Sequence, residues 1–242
     1  MPFTQSVQVR TQDCDIYGHW KPSAMLDVMQ EVASLHCQAL HLGRDTMDAL
    51  GVAWVLSRCH VEFGRLPKNL ERLSVETFAM PKRHLLYRRA HLFRDSTGQM
   101  IGAAQGFWVL LNLTTRAIEP NPTVDERLAV EAQDAPVCAP RAVRPLGNMP
   151  TCGQLTPQFT EYDINGHVNN ARYLDWCWNA LGRDGLDGRE IAGFDINYDS
   201  EILPGEVIRT ELCLEGDRFT FCGFSGDKRR FGIDGILRPD PV

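Results

Sequence analysis

The chain has 242 residues, 43% of them hydrophobic, with 25 Lys and Arg set against 31 Asp and Glu for a net charge of −6. That apolar content can bury one large core or two smaller ones of roughly 100 residues each, and it excludes a disordered chain. The negative balance argues against a nucleic-acid binder, which needs an excess of cations to displace phosphate counterions. The start, Met1-Pro2-Phe3-Thr4-Gln5-Ser6, has no basic stretch followed by an apolar run. Nowhere do about 18 uncharged apolar residues follow one another, so a cytoplasmic protein with no export signal and no membrane span is expected. The eight cysteines are scattered, with no C-x-x-C pair and no Cys/His cluster at zinc spacing. Reduced thiols in an intracellular compartment are therefore expected, with no metal centre.

In chain order, the first distinctive feature is Asp15-Ile16-Tyr17-Gly18-His19. Behind it, Met25, Val28, Met29, Val32, Leu35, Ala39 and Leu40 recur at helical spacing, which predicts a helix over 23–42 stopped by Gly43. Four strands should follow: Val55 to Phe63, where apolar and polar residues alternate, then 73–79, 84–93 and 102–113. Asp95-Ser96-Thr97-Gly98 supplies a hairpin turn before the last of them. The densest basic run, Lys82 to Arg89, lies in this region.

Residues 119–150 hold six prolines and little periodicity, which predicts a linker wrapping over the surface. A second helix is predicted over 170–181, with Leu174, Cys177, Trp178 and Leu181 on one face and Gly182 as its stop. Strands are then expected at 192–198, 207–214, 219–224 and 230–237. Strand, long apolar helix and a run of strands, twice over, is an α+β pattern, and it predicts two antiparallel sheets side by side, each wrapped around its helix.

The strongest signal is Asp163-Ile164-Asn165-Gly166-His167-Val168-Asn169-Asn170, which sets a carboxylate, a carboxamide and an imidazole on alternate residues just before the second helix. The upstream motif is a weaker copy of it. Asp15/Asp163, His19/His167, Leu26/Leu174 and Asp27/Asp175 all align at one offset of 148 positions (163 − 15), so the chain is an internal duplication. From His19 to Pro67 is 48 positions (67 − 19), and from His167 to the matching Pro204 is 37 (204 − 167).

The order of elements, with D-x-N-x-H-V-N-N in the second half, resembles the acyl-acyl carrier protein thioesterases of bacteria and plant plastids, and the likeness spans nearly the whole chain. It implies a tandem (double) hotdog fold: an N-terminal hotdog over 1–118 that forms scaffold and acyl pocket, the linker 119–150, and a catalytic hotdog over 151–242. It also implies hydrolysis of fatty acyl-acyl carrier protein without a cofactor, by a monomer or homodimer. The residues that match are Asp163, Asn165 and His167, with Glu201 from Tyr198-Asp199-Ser200-Glu201-Ile202. There the family pattern Y-x-x-E-C has Cys where this chain has Ile202, which removes the thiol of a cysteine triad and leaves a water mechanism. Glu201 or Asp163 would serve as base, His167 would orient or share the proton, and Asn165 would polarise the carbonyl or hold the water. Cys177 is expected to be a packed helix residue.

Copy one has Tyr17 for Asn165 and Gly64 for Glu201, so it reads as scaffold. Met25, Met29 and Trp54 are candidate walls of the acyl pocket, and Arg88 and Arg89 are candidate cations for an acidic carrier. A coenzyme A ester as substrate, and a silent acyl-binding protein, remain as alternatives.

Overall fold

The computed structural model describes residues 1–240, so the last two positions of the segment 151–242 lie outside the described residues. The first half runs β1 (Phe3–Gln8), α1 (Pro22–Ala39), α2 (Arg44–Ala49), β2 (Val52–Phe63), β3 (Arg72–Arg83), β4 (Leu86–Arg94) and β5 (Met100–Asn112). After α3 (Pro122–Arg127), the second half runs β6 (Thr151–Leu155), α4 (Arg172–Leu186), β7 (Arg189–Tyr198), β8 (Ile208–Glu215), β9 (Arg218–Ser225) and β10 (Lys228–Pro239). The four strands expected behind each helix are present. The duplication also extends beyond the motif: β1 and β6 begin 148 positions apart (151 − 3), and single 3-10 turns at Thr11–Asp13 and Phe159–Glu161 repeat at that spacing (159 − 11). β2 begins 33 positions after His19 (52 − 19) and β7 begins 22 after His167 (189 − 167), so the length difference between the copies falls before these strands. The first half spends the extra residues on α2.

The strands do not form two sheets. They make one ten-stranded antiparallel sheet in the order β1-β3-β4-β5-β2-β7-β10-β9-β8-β6. The halves fuse where Arg58 to Glu62 of β2 pair with Asn197 to Gly193 of β7. Separate sheets would leave these two strands as open edges, and their seam residues, 59–61 of β2 and 194–197 of β7, are buried, so free N–H and C=O groups there would lack water as well as partners. Gly193 permits the approach, because a Cβ there would come 2.7 Å from the Val61 carbonyl oxygen.

Helix α1 opens with Pro22 at its first turn, where no N–H is needed, and buries Met25, Leu26, Met29, Val32, Ala33, His36 and Cys37 at helical spacing. Its stop is His41 in the left-handed region (φ 56), two positions ahead of the expected Gly43, whose φ is −68. In α4, Gly182 (φ 55) kinks the helix instead of ending it, and helical structure continues to Leu186. Both helices lie on one continuous core with β2, β7 and β10.

Residues 119–150 are more ordered than their composition suggests. Asn121 caps α3, and Glu131 N donates to the Ala79 carbonyl (2.8 Å). Ala135 and Val137 then cover Phe78, Met80, Ala90, Leu92 and Ala103 on the sheet face away from α1. Further on, Arg141 N donates to Asp195 (2.9 Å) and Val143 N to Asn197 (2.8 Å), fastening the segment across the β2/β7 seam.

Candidate functional site

The motif of the second half is a tight turn closed by an isolated Tyr162–Val168 bridge. Asp163 N donates to the His167 carbonyl (3.0 Å), Gly166 N to the Asp163 carbonyl (3.0 Å), and Asp163 Oδ1 accepts Asn165 N (2.8 Å). The first half builds the same turn. Cys14 bridges Trp20, Asp15 N donates to the His19 carbonyl (2.9 Å), and Asp15 Oδ1 accepts the N–H groups of Tyr17 (2.9 Å) and His19 (3.0 Å). Gly18 (φ 82) and Gly166 (φ 80) take the left-handed corner that a side chain would strain. Asp163 is therefore a turn-holding residue like Asp15, and what sets the second copy apart is Asn165 and Glu201.

Those two residues are gripped from the other half of the molecule. Arg44 of α2 donates to Asn165 Oδ1 (3.3 Å), while Asn165 Nδ2 donates to Asp163 Oδ2 (3.3 Å). Arg116, in the turn after β5, puts one guanidinium nitrogen 3.0 and 3.3 Å from the two Glu201 oxygens. Neither arginine was singled out from the sequence. No spacing relates 44 or 116 to 165 or 201, and only the β2/β7 seam brings them across. The Glu201 segment runs alongside the motif, because Val168 N donates to the Ile202 carbonyl (3.0 Å). Tyr173, beneath them, has its phenol pushed up by burial and by the charges of Asp163, Glu206 and Glu201.

His167 is about three-quarters buried, with Nδ1 3.3 Å from the Val168 carbonyl and 3.7 Å from Asp163 Oδ1. A proton on Nδ1 donates to that carbonyl, the tautomer that leaves Nε2 as a free acceptor. Asn169 offers no free N–H to this site. α4 begins later, Asn169 N donates to the Glu161 carbonyl (2.9 Å), and Asn169 Oδ1 caps Ala171 N (2.8 Å). Asn170 instead ties the loop to its surroundings, donating to Gln30 Oε1 of α1 (3.2 Å) and accepting from Tyr198 Oη (2.8 Å).

Next to that contact, a crevice of about 10 Å³ opens between Leu26 and Met29 of α1 and Leu56, Cys59 and Trp108 of the sheet. Gln30 and His91 are also in its wall. Of the expected pocket residues only Met29 lines it. Met25 is fully enclosed in the core, and Trp54 packs edge-on against Tyr87 at the far end of α1. Arg88 and Arg89 do not face solvent either. They are 7% and 6% exposed, Arg88 reaching Asp134 and Arg89 turning under α1, so neither can greet a carrier.

The thiols offer no substitute nucleophile at the motif. Ile202 is fully buried at the position where a cysteine would sit, and Cys177 is fully buried in α4, where the apolar surroundings push its thiol well above the ordinary range. In the first half, His19 Nε2 lies 3.1 Å from Asp240, and His19, Glu190 and Asp240 bring ligand atoms within 4.8 Å of one another. This cluster of three was invisible to spacing. Arg238 donates to Glu190 at 2.6 Å and already supplies positive charge there.

A family model for the acyl-ACP thioesterase N-terminal domain matches residues 1–126, and one for the C-terminal domain matches residues 148–222. The chain belongs to the acyl-ACP thioesterase family. It is 26% identical over 200 residues to an oleoyl-acyl carrier protein thioesterase of Arabidopsis thaliana, covering 75% of this chain and 55% of that one. To a dodecanoyl-[acyl-carrier-protein] hydrolase of Cinnamomum camphora it is 25% identical over 209 residues, covering 80% and 54%. The chain thus spans little more than half the length of these plant relatives. Among solved structures it superposes on an acyl-ACP thioesterase from Bacteroides thetaiotaomicron with a TM-score of 0.89 at 22% identity, over 98% of each chain. The 12:0-ACP thioesterase from Umbellularia californica gives 0.86 at 21% identity, over 99% and 98%. These two likenesses are ones of fold.

Proposed function

We propose that the protein is a thioesterase that hydrolyses fatty acyl-acyl carrier protein to the free fatty acid and the carrier thiol, without a cofactor. The observation that carries this reading is the convergence of Asn165 and Glu201, the two positions that depart from the scaffold copy, on one interface between the halves. In this reading each half is a hotdog and the two are fused edge to edge, with 1–118 providing the acyl crevice and 151–242 the reacting groups. A single chain supplies both sides of the site, so a monomer suffices.

Glu201 is the base. Asp163 is committed to its turn and acts by holding Asn165 in place. A thioester carbonyl beside Asn165 Nδ2 receives a hydrogen bond as its oxygen gains charge, while Glu201, once it leaves Arg116, takes a proton from the attacking water. His167 Nε2, the free acceptor, receives a hydrogen bond from the same water and orients it. The thiolate leaves readily and takes up the proton that Glu201 removed from water, giving the carrier thiol.

Arg44 and Arg116 keep roughly half of their side-chain surface exposed beside the site and replace Arg88 and Arg89 as the cations offered to an acidic carrier. The eight cysteines are all free thiols, two of them exposed, which fits a reducing compartment such as the cytoplasm. No helix among the described residues is long and apolar enough to cross a membrane.

The test is release of free thiol from acyl-carrier-protein substrates of graded chain length, with coenzyme A esters in parallel and salt varied. Turnover of carrier substrates that weakens with salt is expected. Faster turnover of the coenzyme A series would move the substrate class, and acyl binding without turnover would make the protein a silent acyl binder. Relatives named for oleoyl and for dodecanoyl substrates are similar to the chain at nearly equal identity, so no chain length is assigned.

The two copies should respond unequally to mutation. Asn165→Ala or His167→Ala should lower kcat by about 10², whereas His19→Ala should lower it less than about threefold, since His19 contacts Asp240, just past the end of β10. Equal losses, with circular dichroism unchanged, would make both halves reactive. Cys177→Ser should stay active, and alkylating the exposed Cys138 and Cys152 should leave turnover intact. Loss of activity in both experiments would restore covalent catalysis through sulfur.

A further inference from the structure

The start of α2 has its own counterpart in the second half. Gly43-Arg44-Asp45-Thr46-Met47-Asp48 recurs as Gly182-Arg183-Asp184-Gly185-Leu186-Asp187, in the part of α4 that lies past its kink. Met47 and Leu186 are both buried, and each segment leads into the seam strand of its half, β2 or β7. Arg44 and Arg183 are therefore equivalent positions in the two copies. Arg183 is exposed, and among the described residues its side chain has no hydrogen bond or ion pair. Arg44 instead reaches into the other half, its Nη1 lying 3.3 Å from Asn165 Oδ1. The motif that Arg183 would serve in the same way has Tyr17 where Asn165 stands in the second copy.

Asn165 is itself exposed, so water competes for both ends of its carboxamide. Two charged groups hold it. Oδ1 faces the Arg44 guanidinium and Nδ2 donates to Asp163 Oδ2 (3.3 Å), so a donor meets the oxygen and an acceptor meets the nitrogen. The flipped amide would set donor against donor at one end and acceptor against acceptor at the other. A cation on the oxygen also draws electron density from the nitrogen and strengthens its N–H groups as donors. Of the two Nδ2 hydrogens, one is committed to Asp163 and the other is left for a carbonyl oxygen.

Asp163 alone would let the amide swing about a single contact. Arg44 supplies a second from a well-anchored base. Met47 of α2 packs with Leu42, Val52, Leu110 and Val124, and Leu113 N donates to the Gly51 carbonyl (2.9 Å), which fixes the helix to β2 and to the turn that carries Arg116. Asp48, with an oxygen 3.6 Å from Arg44 Nε, steadies the guanidinium from the next turn of the helix.

We propose that Arg44 is a positioning residue for the reaction: it holds and polarises the Asn165 carboxamide so that the free Nδ2 hydrogen points at the thioester carbonyl oxygen. This role rests on the thioesterase reading above and adds to the surface charge that Arg44 offers a carrier. The two roles separate by substrate, because a carrier-free thioester needs the first and not the second.

The test is kcat and KM on an acyl-N-acetylcysteamine thioester and on acyl-carrier protein, for Arg44→Ala, Asn165→Ala and the double variant, with Arg183→Ala as the matched control. Arg44→Ala should lower kcat about tenfold on both substrates, the weight of one hydrogen bond to a charged group. In the Asn165→Ala background the same change should cost less than about twofold, because the two residues act as a unit. Arg183→Ala should stay within about twofold of wild type. A loss confined to KM or to the carrier substrate would make Arg44 a docking cation and overturn the proposal. So would equal losses in both backgrounds, an equal loss in Arg183→Ala, or an Arg44→Ala enzyme within about twofold of wild type. If the wild-type protein hydrolyses no thioester, the thioesterase reading fails by itself, and the side-chain amide of Asn165 decides the positioning by NMR. Its two N–H signals should shift, and exchange with water about threefold faster or more, in Arg44→Ala but not in Arg183→Ala; unchanged signals refute the proposal.

Discussion

Glu201→Gln should lower kcat by about 10² or more while KM changes by less than about threefold, a loss of roughly 2.7 kcal/mol of transition-state stabilisation. The amide keeps the size of the carboxylate and can still accept a hydrogen bond from Arg116, so the local fold should survive. What it cannot do is take a proton from water. The pH profile separates this role from a merely structural one. A carboxylate base must be ionised, so wild-type kcat should fall on the acid side, and the residual activity of Glu201→Gln should lack that limb. Arg116→Ala should not reproduce the loss, since the guanidinium holds both Glu201 oxygens and has to release them before water can bind there. A Glu201→Gln enzyme with more than a tenth of wild-type turnover would remove Glu201 as the base, and with it the division of labour between the turn-holding Asp163 and the reacting Glu201.

Asp195→Asn should destabilise the fold by about 3 kcal/mol, the scale for breaking one partner out of a buried ion pair. Asp195 is 1% exposed at the β2/β7 seam. It accepts Arg141 N and the Arg141 guanidinium at 2.9–3.0 Å, and His60 Nδ1 lies 3.1 Å away. The pH dependence has a definite sign. Burial alone would lower the His60 pKa, but Asp195 and Glu62 more than offset it and leave the value above the ordinary 6.5. Its contribution is therefore complete below pH 6.5 and lost as pH rises through the folded value. Burial would raise Asp195, yet His60 and Arg141 hold it below the ordinary 3.8, so its contribution is present above that pH and lost as pH falls through the lowered value. The advantage of wild type over Asp195→Asn should be widest between about pH 4 and pH 6.5. Urea unfolding across that range measures it. A margin that grows steadily above pH 7 would mean that His60 and Asp195 are not coupled.

The elements and the repeat were legible along the chain because they rest on local physics. Apolar spacing set α1 and α4, alternation set the strands behind them, and D-x-x-G-H marked the two turns through the left-handed corner that only glycine takes easily. The edge strands β1 and β6 were not located, because short, polar, half-solvated strands carry no apolar period. His41 as the stop of α1 escaped as well, glycine being the commoner signal. The chemistry of Asp163, Asn165, His167 and Glu201 could be nominated because the duplication supplies an internal reference: Tyr17 and Gly64 show what a copy without those side chains looks like.

What lies across the seam belongs to the tertiary structure alone. Pairing of β2 with β7 turns two expected sheets into one, and the same pairing delivers Arg44 and Arg116 to Asn165 and Glu201 from more than 80 positions away. Packing of α1 on the sheet of its own half likewise hides the guanidinium of Arg89, where a basic run in the sequence had promised a surface. Sequence periodicity records which face of an element is buried. It does not record which distant element covers that face, because that partner is chosen by the summed burial and edge pairing of both halves at once.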